Sequence, residues 1–103
     1  ASGLSLYSAT KGAIEAMSRS LAVELATRRI RVNTIVSGAI ETPMHARLIA
    51  SLSKEAIEDY QRRHPLGFGK PNDISQLVAF LFSDASRWIT GSSIVVDGGY
   101  SAM

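Results

Sequence analysis

The chain contains no cysteine, which removes disulfide frameworks and thiolate metal sites from consideration. Histidine is almost as scarce. His45 and His64 stand far apart without an adjacent acidic cluster, so no metal centre is expected. No apolar run reaches the roughly 18 residues that a membrane-spanning helix needs, and no charged-then-apolar leader opens the chain. A cytoplasmic protein without a membrane partner is the expectation. Charge of one sign is also lacking: 11 basic against 9 acidic residues leave a net charge of +2. The densest basic spots, Arg28–Arg29 and Arg62–Arg63, read as solvated helix ends, and no nucleic-acid partner is expected.

What is present is a globular composition, 46% hydrophobic and 19% charged over 103 residues, enough for one small domain. Residues 8–28 carry an apolar stripe at helical spacing, Ile14, Met17, Leu21 and Leu25. A second stripe of small residues, Ala9, Gly12, Ala13 and Ala16, would let another backbone approach. "IRVNTIV" at 30–36 is β-branched and becomes fully apolar, as a strand covered on both faces does. "SGAIETP" is a loop, and two short helices are expected at 44–52 and 54–62. Pro71 suits a first helical position and Asp73 the first turn of a helix over 71–83. A strand over 93–97 ends in Gly-Gly. Strand 30–36, helix 71–83 and strand 93–97 make one parallel βαβ unit, right-handed by rule.

Two parallel strands do not make a stable domain. The expected fold class is therefore α/β, the C-terminal part of a Rossmann-type, doubly wound parallel sheet, incomplete in this chain. No G-x-G-x-x-G follows a strand, so the usual pyrophosphate cradle is missing.

"YSATK" at 7–11 places a tyrosine and a lysine four apart at a helix start, hence on one face. A phenol titrates near pH 10 and transfers protons slowly at neutrality. An ammonium about 5 Å away, at an effective dielectric near 20, favours the phenolate by roughly 3 kcal/mol. That brings the phenol into a useful range, and the helix N-terminus adds positive potential. Lysine's three donors can also hold a sugar hydroxyl.

"YSATKGA", "IRVNTIVSGAIETPM", "PLGFGKPNDIS" and "WITGSSIVVDGG" occur in that order. Together they resemble the short-chain dehydrogenase/reductase superfamily, in particular its 3-oxoacyl-[acyl-carrier-protein] reductase and sugar-alcohol dehydrogenase branch. The resemblance implies an oxidoreductase moving hydride between NAD or NADP, with NADP slightly preferred, and a carbonyl or secondary alcohol. Sugar-alcohol and steroid dehydrogenases are alternatives, as is a non-catalytic assembly module. It implies a catalytic acid at Tyr7, with Lys11 holding the nicotinamide ribose and activating it, and both residues among those that bind the cofactor. It places a cofactor loop at Ser37, Gly38, Ile40 and Thr42, where the backbone of Ile40 and the hydroxyl of Thr42 would meet the carboxamide. A substrate lid would span 43–66, with Met44, Leu48 and Tyr60 as contacts. Implied partners are a small carbonyl or alcohol, free or on acyl carrier protein in fatty acid synthesis, and further copies in a homo-dimer or tetramer.

Three departures from the family stand out. Ser37-Gly38 replaces the usual Pro-Gly, and "PLGFGKP" is one residue short. The family's catalytic serine lies about a dozen residues before the tyrosine, where this chain has only six; Ser2 and Ser5 are too close and belong to the approach to the helix. The active-site asparagine would lie earlier still, and Asn33, expected within a strand, does not replace it. Residues 1–103 are thus expected to be the C-terminal half of one domain, lacking the cofactor-binding half and inactive alone.

Overall fold

The computed structural model describes residues 4–102. Helix α1 spans Leu4–Leu25 and runs into a 3-10 turn at Ala26–Arg28. Strand β1 is Thr34–Ser37. The helices α2 (Pro43–Ser51), α3 (Lys54–Arg62) and α4 (Pro71–Leu81) follow, then strand β2 at Ser93–Val96. A last 3-10 turn covers Tyr100–Ala102. The two strands pair in parallel, Thr34 opposite Ser93 through Ser37 opposite Val96, with α4 in the crossover between them. This is the partial Rossmann-type α/β arrangement expected from the sequence. No helix among the described residues is long and apolar enough to cross a membrane.

The sequence places the helix and strand boundaries differently at several points. The first helix starts at Leu4, so Ser5 lies in its first turn rather than in an approach loop; Ser2 is outside the described residues. β1 begins four residues later than expected because 31–33 are tied down mainly by side chains, with one backbone bond from Gly91 N–H to Val32 O. The Arg31 guanidinium donates to the carbonyls of Ile89 (3.1 Å) and Leu81 (2.5 Å). The second of these lies at the C-terminal end of α4, where the helix dipole favours a cation. Asn33 donates to Ile89 O and accepts from Ser92 N–H, both at 3.1 Å. It precedes the strand and grips the approach to β2 at two points. We expect Asn33→Ala to cost about 2 kcal/mol, because a part-buried donor and acceptor both lose their partner. Urea denaturation measures this, and Asn33→Asp, which keeps the acceptor, should recover part of it.

α4 starts as its sequence dictates. Pro71 occupies the first turn, where its missing N–H costs nothing, and the Asp73 carboxylate accepts from Lys70 N–H at 2.7 Å. The helix ends at Leu81, two residues early. Ser83 and Ser86 take up the free carbonyls: Ser86 Oγ donates to Leu81 O and Ser83 O, at 2.9 and 3.0 Å. β2 likewise ends one residue early, at Val96.

Burial is thin. Ala22 at 3% exposure is the one fully buried apolar residue among those described, lying against Gly91, where an added Cβ would sit 3.5 Å away. The stripe expected to be buried on α1 splits: Leu21 and Leu25 are half-buried, while Ile14 and Met17 are exposed. Phe82, Trp88 and Val95 are exposed as well. The radius of gyration, 16.2 Å, exceeds the roughly 13 Å of a compact 100-residue domain. These faces leave apolar surface uncovered among the described residues.

Candidate active site

Tyr7 and Lys11 lie one turn apart near the start of α1. Lys11 Nζ sits 5.8 Å from the centre of the Tyr7 ring, so the pair meets as i, i+4 neighbours do. The hydroxyl of Thr10, between them, is turned back onto Leu6 O at 2.9 Å. Tyr7 is 63% exposed. An open cleft of about 290 Å³ separates this face of α1 from the end of β1, lined by Tyr7, Thr10, Lys11, Ile14, Ile35 and Ser37. The structure therefore brings the expected acid, its lysine and the first residue of the expected cofactor loop around one space.

The loop after β1 is held from behind. Gly38 N–H donates to Val96 O at 3.0 Å. A Cβ on Gly38 would stand 2.8 Å from both Cα and Cβ of Asp97, so only glycine fits. Ile40 forms a parallel bridge with Gly69. That bridge is made by its neighbours: Gly69 N–H donates to Ala39 O (2.9 Å) and Glu41 N–H to Gly69 O (2.8 Å). Because extended backbone alternates its polar groups between edges, Ile40's own N–H and C=O face the other side. Neither takes a partner among the described residues. One donor beside one acceptor is the complement of a primary amide.

Thr42 is the N-cap of α2: its Oγ1 accepts from His45 N–H at 3.2 Å, and its C=O accepts from Ala46 N–H. Capping uses the oxygen as acceptor and leaves the hydroxyl proton free to donate elsewhere. Behind the loop lies a second cavity of about 390 Å³, in which Gly38 and Ile40 join Phe68, Gly69 and Asp97.

The three expected lid residues separate. Met44 is 72% exposed and Leu48 is exposed too, both on α2. Tyr60 of α3 instead packs its ring against His45, His64 and Phe68, at centroid distances of 6.0, 5.1 and 5.0 Å. Burial, with a smaller contribution from the charge Tyr100 would carry, pushes the Tyr60 phenol above its ordinary pKa.

Sequence reasoning found the Gly-Gly turn but missed this aromatic group and the carboxylate that holds the turn beneath it. The Asp97 carboxylate accepts from Gly99 N–H (3.0 Å) and Ser101 N–H (2.9 Å). Its pKa lies below the ordinary carboxylate value, mainly through the bonds from Ser101, with Gly99 and His64 adding less. A depressed pKa means that the turn is stabilised above the unfolded-state pKa, near 4, and loses this as pH falls through the lower folded-state value. We expect the turn at 97–102 to loosen below about pH 4 and Asp97→Asn to remove that dependence; amide shifts of Gly99 and Ser101 against pH report both. "VDGG" was a usable signal, since a carboxylate two residues before a glycine often caps its own turn. Among the described residues no cluster of three or more His, Asp or Glu is placed to hold a metal ion.

The parallel β-α-β unit, with a tyrosine–lysine pair facing the end of β1, is part of a Rossmann-type α/β fold, and the comparisons with known proteins agree. A family profile described as Enoyl-(Acyl carrier protein) reductase matches residues 1–101. The 3-oxoacyl-[acyl-carrier-protein] reductase FabG of Thermotoga maritima is 44% identical over 98 residues, 94% of this chain and 38% of that protein. The NADP-dependent (R)-specific alcohol dehydrogenase of Lentilactobacillus kefiri is 40% identical over 102 residues, 96% of this chain and 39% of its own length. Among solved structures, a short chain dehydrogenase family protein from Francisella tularensis superposes with a TM-score of 0.84 at 40% identity, covering 94% of this chain and 43% of that one. A 4-hydroxyisoleucine dehydrogenase complexed with NADH gives 0.86 at 34% identity, covering 94% and 40%. The chain belongs to the short-chain dehydrogenase/reductase family. It spans less than two fifths of the length of these two curated relatives.

Proposed function

We propose that residues 1–103 form the C-terminal half of a single dinucleotide-binding domain in an NAD(P)-dependent oxidoreductase. In this reading Tyr7 is the acid–base group, Lys11 and the loop Ser37–Gly38–Ile40–Thr42 hold the nicotinamide end of the cofactor, and Met44, Leu48 and Tyr60 belong to the substrate lid. The observation that carries it is the cleft that Tyr7 and Lys11 share with Ser37, the residue that leads into the loop where Ile40 N–H and C=O take no partner among the described residues.

The residues fit a nicotinamide. Ile40 would give its N–H to the carboxamide oxygen and take the carboxamide N–H at its C=O, while Thr42 donates its free proton. Lys11 would hold a ribose hydroxyl and face the phenol with its charge. A bound reduced nicotinamide supplies hydride to the carbonyl carbon. Tyr7 supplies the proton: its O–H bond breaks as the new O–H bond forms on the substrate oxygen, and the ammonium of Lys11 stabilises the phenolate left behind. In the reverse direction the phenolate takes the alcohol proton. The exposed phenol, open to the cleft, is where such a proton donor has to be.

For substrate we favour a 3-oxoacyl group, free or carried on acyl carrier protein, with NADP ahead of NAD. Support comes from the Thermotoga reductase and the NADP-dependent Lentilactobacillus enzyme; the 4-hydroxyisoleucine dehydrogenase complexed with NADH supports the other cofactor. Apolar residues left exposed on α1, Leu6, Ile14, Met17 and Val23, support assembly into a dimer or tetramer. Residues 1–103 alone are proposed to be inactive. Steady-state oxidation of NADPH and NADH by the whole enzyme, against 3-oxoacyl thioesters, sugar ketones and steroid ketones, tests the reading. Turnover fastest with 3-oxoacyl thioesters and NADPH is expected; no consumption with any carbonyl would reject it.

A further inference from the structure

Five rings from four parts of the chain form one cluster, and three of them pack around a single imidazole. His64, which follows α3, is 5% exposed, and it is the only fully buried ring among the described residues. Its Nδ1 lies 2.9 Å from Tyr60 O. A carbonyl can only accept, so Nδ1 carries the proton and donates. The ring meets Tyr60 edge-on at 5.1 Å and Phe68 edge-on at 5.3 Å, and stacks on Tyr100 at 4.9 Å and 25°. His45, on α2, closes the group from the other side, 4.7 Å from Phe68 and 6.0 Å from Tyr60. Both lid helices thus reach the same cluster, each through one ring.

The far wall of the cluster is the turn at 97–102. Asp97 fixes that turn by accepting from Gly99 and Ser101, and His64 lies near enough to act on its carboxylate. The backbone joins the same two segments, since Leu66 N–H donates to Gly98 O at 2.9 Å. Glycine is required on the turn side. Gly98 (φ +61°) would bring a Cβ to 3.1 Å of Gly67 O, and Gly99 (φ +94°) to 3.2 Å of Pro65 Cγ. A close, glycine-lined seam of this kind holds one arrangement and tolerates little sliding.

We propose that His64 is a positioning residue, the latch that fixes the lid helices α2 and α3 to the C-terminal turn through Tyr60 on one side and Tyr100 on the other. Tyr60 then serves the lid by holding it down, and Met44 and Leu48, exposed on the helix that His45 anchors, are left to meet substrate. The link to substrate rests on the lid reading above; the latch itself does not. Tyr100 makes the test clean, because it is exposed enough to be cut without opening the interior, while His64 is not.

Hydrogen–deuterium exchange of the whole enzyme is measured for wild type, Tyr100→Ala, His64→Leu and His64→Asn. The latch requires the amides of 43–62 to exchange about tenfold faster in Tyr100→Ala and His64→Leu, with α4 unchanged. His64→Asn, which can still donate to Tyr60 O, should recover part of the protection. The KM for the carbonyl substrate should rise several-fold, with kcat and cofactor affinity held. Unchanged lid exchange in Tyr100→Ala would overturn the latch. Faster exchange with an unmoved KM would overturn the positioning role. Faster exchange in an enzyme that turns over no carbonyl would sustain the latch and reject the oxidoreductase reading instead.

Discussion

Tyr7→Phe lowers kcat by roughly 10²- to 10⁴-fold in the proposed enzyme, the range that a positioned acid–base group contributes, and leaves folding unchanged. The ring is more than half exposed and only its hydroxyl is removed, so stability should move by no more than about 0.5 kcal/mol. Cofactor affinity should fall far less than kcat, because Lys11, the backbone of Ile40 and Thr42 are untouched. Stopped-flow reduction separates these quantities. Full turnover in Tyr7→Phe would remove the tyrosine from the mechanism. A loss of turnover accompanied by unfolding would mean that the phenol is structural, which its exposure argues against.

The second large effect comes from a residue with no chemistry of its own. Gly38→Ala puts a methyl group 2.8 Å from Cα and Cβ of Asp97 and 3.1 Å from its carbonyl oxygen. Two of those three atoms are backbone, so a rotamer change cannot relieve the contact. The loop or the turn at 97 must shift, at a cost on the order of 1–3 kcal/mol. The bond from Gly38 N–H to Val96 O lengthens with it, and the donor–acceptor pair of Ile40, two residues on, moves off its target. We expect reduced thermal stability together with about a tenfold or greater loss of cofactor affinity, read by calorimetry and by quenching of intrinsic fluorescence. Unchanged affinity would show that the loop does not hold the nicotinamide.

Much of this was legible along the chain. Proline at 71 with aspartate at 73, and the β-branched run ending near Ser37, describe local preferences that the fold keeps. The pair at 7 and 11 needed only the helical period. The start of β1 was not legible, because Arg31 and Asn33 look like ordinary residues of a strand until Leu81, Ile89 and Ser92 are brought beside them. The aromatic latch was invisible for the same reason. Residues 45, 60, 64, 68 and 100 share no period, and only the return of the chain through β2 brings Tyr100 onto His64. The free edge of Ile40 was expected only from the loop's resemblance to its family; its physical cause, Gly69 on the other edge, appears only in the fold.

The central claim is that hydride reaches a carbonyl carbon at the end of β1 while Tyr7 protonates the oxygen. The most direct measurement is isotope transfer by the whole enzyme, using reduced cofactor deuterated at its transferable position and mass spectrometry of the alcohol formed. The account predicts deuterium on the carbinol carbon of the product, from one face of the cofactor only, and a hydroxyl proton drawn from solvent by way of the phenol. An alcohol formed without deuterium from the cofactor, or with equal transfer from both faces, would contradict it.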